Sequence, residues 1–166
     1  NIGVGEYDRG QYDKVFTVSH GPTAFMVSRK VIQTIGGHDK KYFMCYADTD
    51  FAFRTTAAGY LSLFCPNAKL WHKIKLNKVK NSLSYYGFDS LQRTYHYARN
   101  RFLFMKTHAP LMHLLIFLFI FSSLFLIFFS YQIIRCGGGL TYLNAYWTGF
   151  YDGWLYIFTN KYNNLK

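Results

Sequence analysis

The stretch that decides the fold is Gly21–His72, which reads GPTAFMVSRKVIQTIGGHDKKYFMCYADTDFAFRTTAAGYLSLFCPNAKLWH. Its early part turns apolar over Thr23–Val27, directly after a Gly-Pro turn, and this predicts a short buried strand. Ser28 is a favourable cap for a helix predicted over Arg29–Ile35, and the glycine pair after that helix predicts its end. A strand followed by a packed helix indicates one unit of an α/β fold.

The middle of the same stretch is an acidic turn at residues 46–50 (YADTD), where a loop gives way to a helix. The helix is predicted over Asp50–Ala58, with Asp48 or Thr49 as its cap. Asp50 and Arg54 are four residues apart, so they can pair on one helical face. The short strands expected after this helix are Tyr60–Phe64 and Ala68–His72.

The most apolar part of the chain is Leu111–Ile134, 24 residues without Asp, Glu, Lys or Arg. As a helix it is about 36 Å long, which exceeds the roughly 30 Å hydrocarbon core of a bilayer. Residues 69–106, directly before it, carry nine Lys/Arg against one acid, as expected of a cytoplasmic segment facing anionic lipids. We therefore expect a membrane partner and no nucleic acid. A single crossing and a re-entrant or interfacial arrangement both fit the sequence.

Helical segments are expected on both sides of the apolar segment. Phe88–Thr107 predicts a helix with arginines and aromatic residues interleaved, and Leu140–Lys166 predicts an aromatic helix at the membrane–water boundary. The three cysteines lie outside any CxxC pair, which argues against a disulfide framework or a zinc site and favours a reducing compartment. The polar, glycine-rich residues 1–15 predict that the chain is part of a longer protein.

An ordered string of motifs runs through most of the chain. Its members are Gly21–Arg29, Ile35–Asp39, Tyr42–Met44, Asp48–Asp50, Arg54, Gly59-Tyr60, Pro66–Ala68, His72, Tyr97–Arg101 and Gly149–Trp154. In this order and spacing, the string resembles the second half of family 2 glycosyltransferases. The branch to which it is most similar is the rhamnosyltransferase-like enzymes of bacterial surface polysaccharide synthesis.

The resemblance implies a fold and an activity. The fold is the C-terminal half of a GT-A fold over residues 1–106, followed by a membrane segment (107–136) and an interfacial tail (137–166). The activity is an inverting transfer of a sugar from a nucleotide-sugar donor to a surface-polysaccharide or lipid-linked glycan acceptor. It would take place at the cytoplasmic face of the bacterial plasma membrane, with Mg²⁺ or Mn²⁺ stabilising the departing diphosphate.

Asp48 matches the position of the catalytic base in that family. The chemistry needs a base because an alcohol is a poor nucleophile until its proton leaves. The alternative for Asp48 is a helix cap without catalytic function. Asp50 is also predicted to belong to the substrate-binding residues. Because it can pair with Arg54, we expect its role there to be indirect, through support of the helix. The family usually has Glu directly before the base, whereas this chain has Ala47.

The resemblance gives roles to five further residues. His72 matches a position that contacts the metal or the diphosphate, and a structural histidine at a strand end is the alternative. Gly21 and Thr23 would line the acceptor side. Arg99 and Arg101 would contact a diphosphate or lipid phosphate, and a solvated basic helix face is the alternative.

The family's nucleotide-binding half, with its Asp-x-Asp metal turn, has no counterpart in this sequence. Two rival interpretations follow. The chain is either a catalytically inactive, membrane-anchored remnant that binds glycan or a partner, or a structural membrane protein whose acidic turn only caps a helix. Metal-dependent binding of a nucleoside diphosphate would separate the enzyme from the structural protein.

Overall fold

A computed structural model describes residues 9–19, 24–69 and 82–161. The chain forms two compact units: the acidic-turn unit (residues 1–40 and 47–75) and the helical unit (41–46 and 76–166). The elements in chain order are β1 (Phe16–Val18), α1 (Arg29–Ile35), α2 (Ala47–Ala57), β2 (Ser62–Phe64), α3 (Leu91–His108), α4 (Leu111–Ile116), α5 (Ser122–Arg135) and α6 (Gly139–Thr159). The described part is therefore mostly helical, and the expected α/β character is limited to one short two-stranded sheet.

The sheet of the acidic-turn unit consists of β1 and β2, paired antiparallel with Phe16 opposite Phe64. The two rings stack with centroids 4.9 Å apart, the kind of cross-strand pair that stabilises short strands. Over residues 24–27 the predicted strand Thr23–Val27 is wrong: residues 24–28 have no regular structure, and Met26 is fully exposed. Thr23 lies outside the described residues. No strand lies beside this segment within the described residues, so its backbone gains no ladder.

Helix α1 forms as predicted, and its two ends show why. The backbone N–H of Val31 donates to Ser28 Oγ (3.3 Å), so Ser28 caps the helix. Gly36 has a φ of 76° and donates its N–H to the Ile32 carbonyl, which closes the last turn. These are local signals, and they place the end of α1 three residues before His38.

Helix α2 begins at Ala47, three residues before the predicted start, and ends one residue early at Ala57. Asp48 and Thr49 therefore lie inside the first turn, and the prediction that one of them caps the helix is wrong. Two carboxylates in a first turn are favourable, since the N-terminal end of a helix carries partial positive charge. The helix packs against α1 and β2.

In the helical unit, α3 and α6 run parallel and in close contact. Gly149 lies on the backbone of Tyr95, and a side-chain carbon at Gly153 would lie 2.9 Å from the Arg99 carbonyl oxygen. Residue numbers rise together on both helices, which sets their parallel direction. The Tyr95 hydroxyl donates to Asp152 Oδ2 (2.7 Å) across this contact.

The chain returns from α3 to α6 through one continuous helix, Leu111–Arg135, which we call the apolar helix. It consists of α4, a π-helical turn at Phe117–Phe121, and α5. The Phe117 ring meets Phe102 edge-on at 5.2 Å, and the Phe129 ring meets Tyr97 at 5.8 Å. Numbers fall on α3 as they rise on the apolar helix, so these two run antiparallel. The predicted segment 111–134 is confirmed as a helix.

The core of the helical unit lies where these three helices meet. It contains Leu83, Phe88, Ala98, Phe129, Ile133 and Tyr146. The Tyr146 hydroxyl donates to the Phe125 carbonyl (3.1 Å), and Trp147 Nε1 donates to Ser130 Oγ (2.8 Å), so α6 is bonded to the apolar helix as well. The expected aromatic tail is thus a helix, Gly139–Thr159. Its place at a membrane boundary and the divisions at 106 and 136 stay predictions.

Candidate active site at the acidic turn

The two carboxylates of the acidic turn differ in their surroundings. The Asp50 residue is 1% exposed, and its Oδ2 accepts a hydrogen bond from Arg54 Nε at 2.8 Å. Arg54 also donates to the carbonyls of Ile35 (2.6 Å) and Gly37 (2.8 Å). The predicted Asp50–Arg54 pair is confirmed, and it also ties α2 to the end of α1. A direct role for Asp50 in substrate binding stays a prediction.

Asp48 presents the other carboxylate, with 49% of its side chain exposed. Its Oδ1 lies 3.1 Å from His38 Nε2. The His38 ring stacks on Phe51 with centroids 4.9 Å apart and planes 20° apart, and Phe25 lies 6.0 Å from it. The aromatic contacts orient the imidazole, and the imidazole in turn orients the carboxylate.

This arrangement suits a proton acceptor. The first turn of α2 stabilises a negative charge on Asp48 by about 0.3–1 kcal/mol, since the helix N-terminus carries partial positive charge. Half of the Asp48 side chain is open to solvent, so an incoming hydroxyl has access to it. General bases must come within hydrogen-bond reach of the proton that they remove. Of the two carboxylates in the acidic turn, Asp48 is the one that meets this requirement.

His38 lies in the Ile35–Asp39 motif, but the sequence alone assigned it no role. His38 and Asp48 are ten residues apart and share no helix or strand, so no periodic pattern predicts their contact. One sequence feature pointed to His38: it lies two residues after Gly36, the residue that ends α1, and therefore in the loop after the helix.

Three predicted site residues, Gly21, Thr23 and His72, lie outside the described residues. Over residues 9–19, 24–69 and 82–161, no group of three or more His, Cys, Asp or Glu side chains is placed to hold a metal ion. The expected Mg²⁺ or Mn²⁺, with His72 as its contact, therefore stays a prediction.

Arg99 and its neighbour Asn100 hold a loop of the helical unit. Arg99 is fully buried, and its guanidinium donates to the Lys41 carbonyl (2.6 Å) and to Asn100 Oδ1 (2.9 Å). Asn100 Nδ2 donates to the carbonyls of Tyr42 (2.8 Å) and Met44 (2.6 Å). These bonds stabilise a strained loop, since Phe43, Cys45 and Tyr46 all have positive φ.

Arg101 is 8% exposed and lies among aromatic rings. Its guanidinium carbon is 4.1 Å from the Phe125 centroid and 5.0 Å from that of Tyr97. Its Nε donates to the Tyr46 hydroxyl at 3.3 Å. The solvated basic face considered for Arg99 and Arg101 is therefore wrong. The geometry favours loop-holding for both residues, and phosphate contact stays a prediction.

His96 is a buried histidine that the sequence did not single out. It is 1% exposed, and its ring lies 5.3 Å from that of Phe43 and 5.1 Å from that of Tyr95. Within the described residues neither of its ring nitrogens has a hydrogen-bond partner. Burial, reinforced by the charge of Arg99, lowers the pKa of His96 from 6.5 to about 4. This histidine is neutral at physiological pH.

The chain is similar to curated bacterial proteins over parts of its length. It is 34% identical over 97 residues to dTDP-rhamnosyl transferase RfbF of Shigella flexneri, which is 58% of this chain and 32% of that protein. It is 36% identical over 50 residues to N-acetylglucosaminyl-diphospho-decaprenol L-rhamnosyltransferase of Mycobacterium tuberculosis, in each of two strains, over 30% of this chain and 16% of that protein. No family model and no solved structure matches the chain. The similarity thus relates this chain to glycosyltransferases named as rhamnosyltransferases, over about a third or less of their length.

Proposed function

We propose that this chain forms the acceptor-side part of an inverting family 2 glycosyltransferase with a GT-A fold. The reaction moves a sugar, rhamnose being the favoured one, from a nucleotide-sugar donor to a surface-polysaccharide or lipid-linked glycan acceptor. It takes place at the cytoplasmic face of the bacterial plasma membrane. The partial similarity to rhamnosyltransferases supports the reaction class, and the apolar helix supports the membrane association.

In this proposal Asp48 is the general base. Its carboxylate accepts the proton of the acceptor hydroxyl while the hydroxyl oxygen attacks the anomeric carbon of the donor sugar. The bond from that carbon to the diphosphate oxygen breaks, and the nucleoside diphosphate leaves with the electron pair. A single displacement of this kind inverts the anomeric configuration. His38 positions the carboxylate through its contact with Oδ1.

The observation that carries the proposal is the difference in exposure within the acidic turn. The Asp50 carboxylate is buried and bonded to Arg54, whereas half of the Asp48 side chain is open to solvent beside an oriented imidazole. A buried ion pair serves the fold, and an exposed, oriented carboxylate at a helix N-terminus is available to a substrate.

A divalent metal belongs to the proposal because it would neutralise the diphosphate leaving group. The described residues do not supply its ligands, so no step of the mechanism here depends on it. His72 at the diphosphate and Gly21 and Thr23 on the acceptor side complete the proposed set.

The test is turnover of a nucleotide sugar by the protein as its cells produce it, with Asp48→Asn against Asp89→Asn. Asp89 is a matched control, since it is also 49% exposed and also pairs with a cationic partner, Arg93. Losing a general base costs about 10²–10⁴-fold in rate, so Asp48→Asn should be at least about 100-fold slower. Asp89→Asn should turn over normally. Normal turnover by Asp48→Asn would remove the base assignment.

A second candidate is a catalytically inactive module that binds glycan at the membrane. Ala47 favours it, because an acidic residue is expected directly before the base in the family that this chain resembles. Under this reading the wild-type protein binds acceptor glycan but releases no nucleoside diphosphate from any donor. If nucleoside diphosphate is released only when both donor and acceptor are present, the protein is an enzyme and the inactive module is ruled out.

A further inference from the structure

The apolar helix of the helical unit leaves most of its surface uncovered. Arg135 is its one residue among Asp, Glu, Lys and Arg, and only 11% of its most apolar part is buried. The exposed side chains include Met112, Phe119, Ile127 and Ile134, each more than 60% exposed. Steps of seven or eight residues keep these four on one face. An apolar face of this length calls for a covering partner.

The exposed face continues onto α6. Trp147, Tyr151, Trp154 and Phe158 are all exposed and recur every three or four residues, so they form a second stripe. Trp147 bonds to Ser130, which places this stripe directly beside the apolar helix. Trp and Tyr favour the boundary between lipid and water. The combined surface of the apolar helix and the α6 stripe is therefore better suited to contact with lipid than to contact with water.

The packing of the three helices restricts how a bilayer can cover that surface. If the apolar helix crossed the bilayer with the unit intact, α3 and α6 would be drawn in beside it, because α6 packs on α5 and α3 contacts Phe117, Phe125 and Phe129. Helix α3 contains Arg93, Arg99, Arg101 and Lys106, and each cation at the centre of a bilayer costs about 2.5–3.5 kcal/mol or more. A crossing of the intact unit is therefore strongly unfavourable.

A crossing by the apolar helix alone would separate α3 from α6. It would break the Tyr95–Asp152 hydrogen bond and the close approach at Gly149. It would also remove the cap on the last turn of α6, where Lys106 Nζ donates to the carbonyls of Tyr156 (3.0 Å) and Ile157 (2.7 Å). These contacts favour an arrangement in which both ends of the apolar helix lie on the same side of a membrane.

We infer that the helical unit lies in the plane of one leaflet of an anionic bilayer, with the apolar helix and the aromatic stripe of α6 in lipid and no segment crossing. Charge supports a lipid partner: residues 111–134 contain no Asp, Glu, Lys or Arg, and the preceding residues 69–106 are strongly basic. The attachment explains how the chain reaches a lipid-linked acceptor, yet it does not depend on the proposed catalysis.

The test measures the depth of the apolar helix in a membrane. Single cysteines at positions 112, 119, 127 and 134 are introduced after the three native cysteines are replaced, labelled with a small fluorophore and bound to phosphatidylethanolamine–phosphatidylglycerol vesicles. Lipids brominated at defined acyl positions then report depth by quenching. The in-plane arrangement predicts four similar depths, about 5–10 Å below the headgroups. A label at Gln92, an exposed α3 residue, should be little quenched.

Two results would overturn the inference. A crossing helix would give a depth profile with positions 112 and 134 near opposite surfaces, about 33 Å apart, and with 119 and 127 deepest. Absence of quenching at all four positions, together with a doubled mass in solution, would show that a second copy of the chain covers the face.

A topology measurement needs no substitution in the apolar helix. Cys65, an exposed residue that precedes it, and an epitope tag placed after Lys166 should be accessible from the same side of the membrane. A membrane-impermeant maleimide read at Cys65 by mass spectrometry, and an antibody to the tag, report the two positions. Accessibility from opposite sides would contradict the in-plane arrangement. Because neither measurement involves turnover, failure here and failure of the proposed reaction are distinguishable.

Discussion

The acidic turn and the Tyr97–Arg101 segment of α3 are both rich in charged and polar side chains, but the protein uses them differently. Asp48 and His38 are each about half exposed and contact one another at the surface. Arg99 and Asn100 are fully buried, and four hydrogen bonds from them hold the loop that ends at Tyr46. The charge of a residue does not identify a site. A site is identified by side chains that are exposed and can still form hydrogen bonds to a ligand.

The two regions should also differ in how much their side chains contribute to the free energy of unfolding. Buried polar groups are costly when they lose their partners, so Asn100 and Arg99 are essential to the fold. An exposed pair such as His38–Asp48 contributes about 0–1 kcal/mol to stability. Substitutions in α3 should therefore mainly change the free energy of unfolding, and substitutions at Asp48 should mainly change chemistry.

The largest effect on stability is expected at Asn100. Asn100→Ala leaves the buried carbonyl of Tyr42 and the partly buried carbonyl of Met44 without their donor, and the loss at a buried group costs about 1–3 kcal/mol. We expect the free energy of unfolding to fall by about 3 kcal/mol in denaturant titrations. Asn144→Ala, the same change on the exposed surface of α6, should cost less than about 0.5 kcal/mol. Equal losses at the two positions would contradict the loop-holding role.

Next in size is the buried pair of the acidic-turn unit. Asp50→Asn removes the charge that Arg54 faces and should destabilise the protein by about 2 kcal/mol, as expected for a hydrogen bond between charged groups. Asp89→Asn breaks an Asp–Arg pair with the same i,i+4 spacing in an exposed setting and should cost less than about 0.5 kcal/mol. The two values come from the same thermal or chemical unfolding series. A small effect at both positions would show that the Asp50 pair is dispensable.

Acid sensitivity should come from His96. Its lowered pKa of about 4 means that the unfolded chain binds a proton near pH 6.5 that the folded chain accepts only near pH 4. The contribution of the neutral ring to the free energy of unfolding is therefore fully present above about pH 6.5 and is lost as the pH falls toward 4. Each pKa unit is worth about 1.4 kcal/mol, so the loss expected between pH 7 and pH 5 is on the order of 1–2 kcal/mol.

His96→Leu tests this origin. The substitution removes the titrating ring and its two unpaired nitrogens, so at pH 7 the variant should be as stable as the wild type or more stable. Its stability should also change less than that of the wild type between pH 7 and pH 5. An unchanged pH dependence would assign the acid sensitivity to other groups.

The smallest effect on stability is expected at His38. His38→Ala removes the stacking on Phe51 and the contact to Asp48, and should cost about 1 kcal/mol or less. In the proposed enzyme it should lower kcat about tenfold with little change in KM, since it orients the base and does not bind the donor. His38→Gln, whose amide nitrogen can replace Nε2, should recover part of the loss. Equal kcat values for the Ala and Gln variants would argue against positioning.

Local chemistry made part of the fold predictable. Ser28 and Gly36 set the ends of α1, Asp50 and Arg54 have the spacing of a helical pair, and the charge-free run from 111 to 134 forms one continuous helix. The strand expected at Thr23–Val27 failed because an apolar run becomes a strand only beside a partner. Whether a partner strand is present depends on other parts of the chain and is not visible in the run itself.

The same limit applies to the site. Asp48 stands out by its motif, but its pairing with His38 depends on how α1 and α2 pack. The burial of Arg99 and Asn100 depends on carbonyls more than 50 residues away in the chain. Gly149 and Gly153, four residues apart on one face of α6, did carry a signal for the close contact with α3.

The most direct test of the account measures turnover and unfolding on one preparation of Asp48→Asn, next to the wild type. The account predicts at least a roughly 100-fold loss of kcat while the free energy of unfolding stays within about 1 kcal/mol of the wild type. Turnover that remains normal, or a loss of turnover matched by a large loss of stability, would contradict the claim that the exposed carboxylate performs the chemistry.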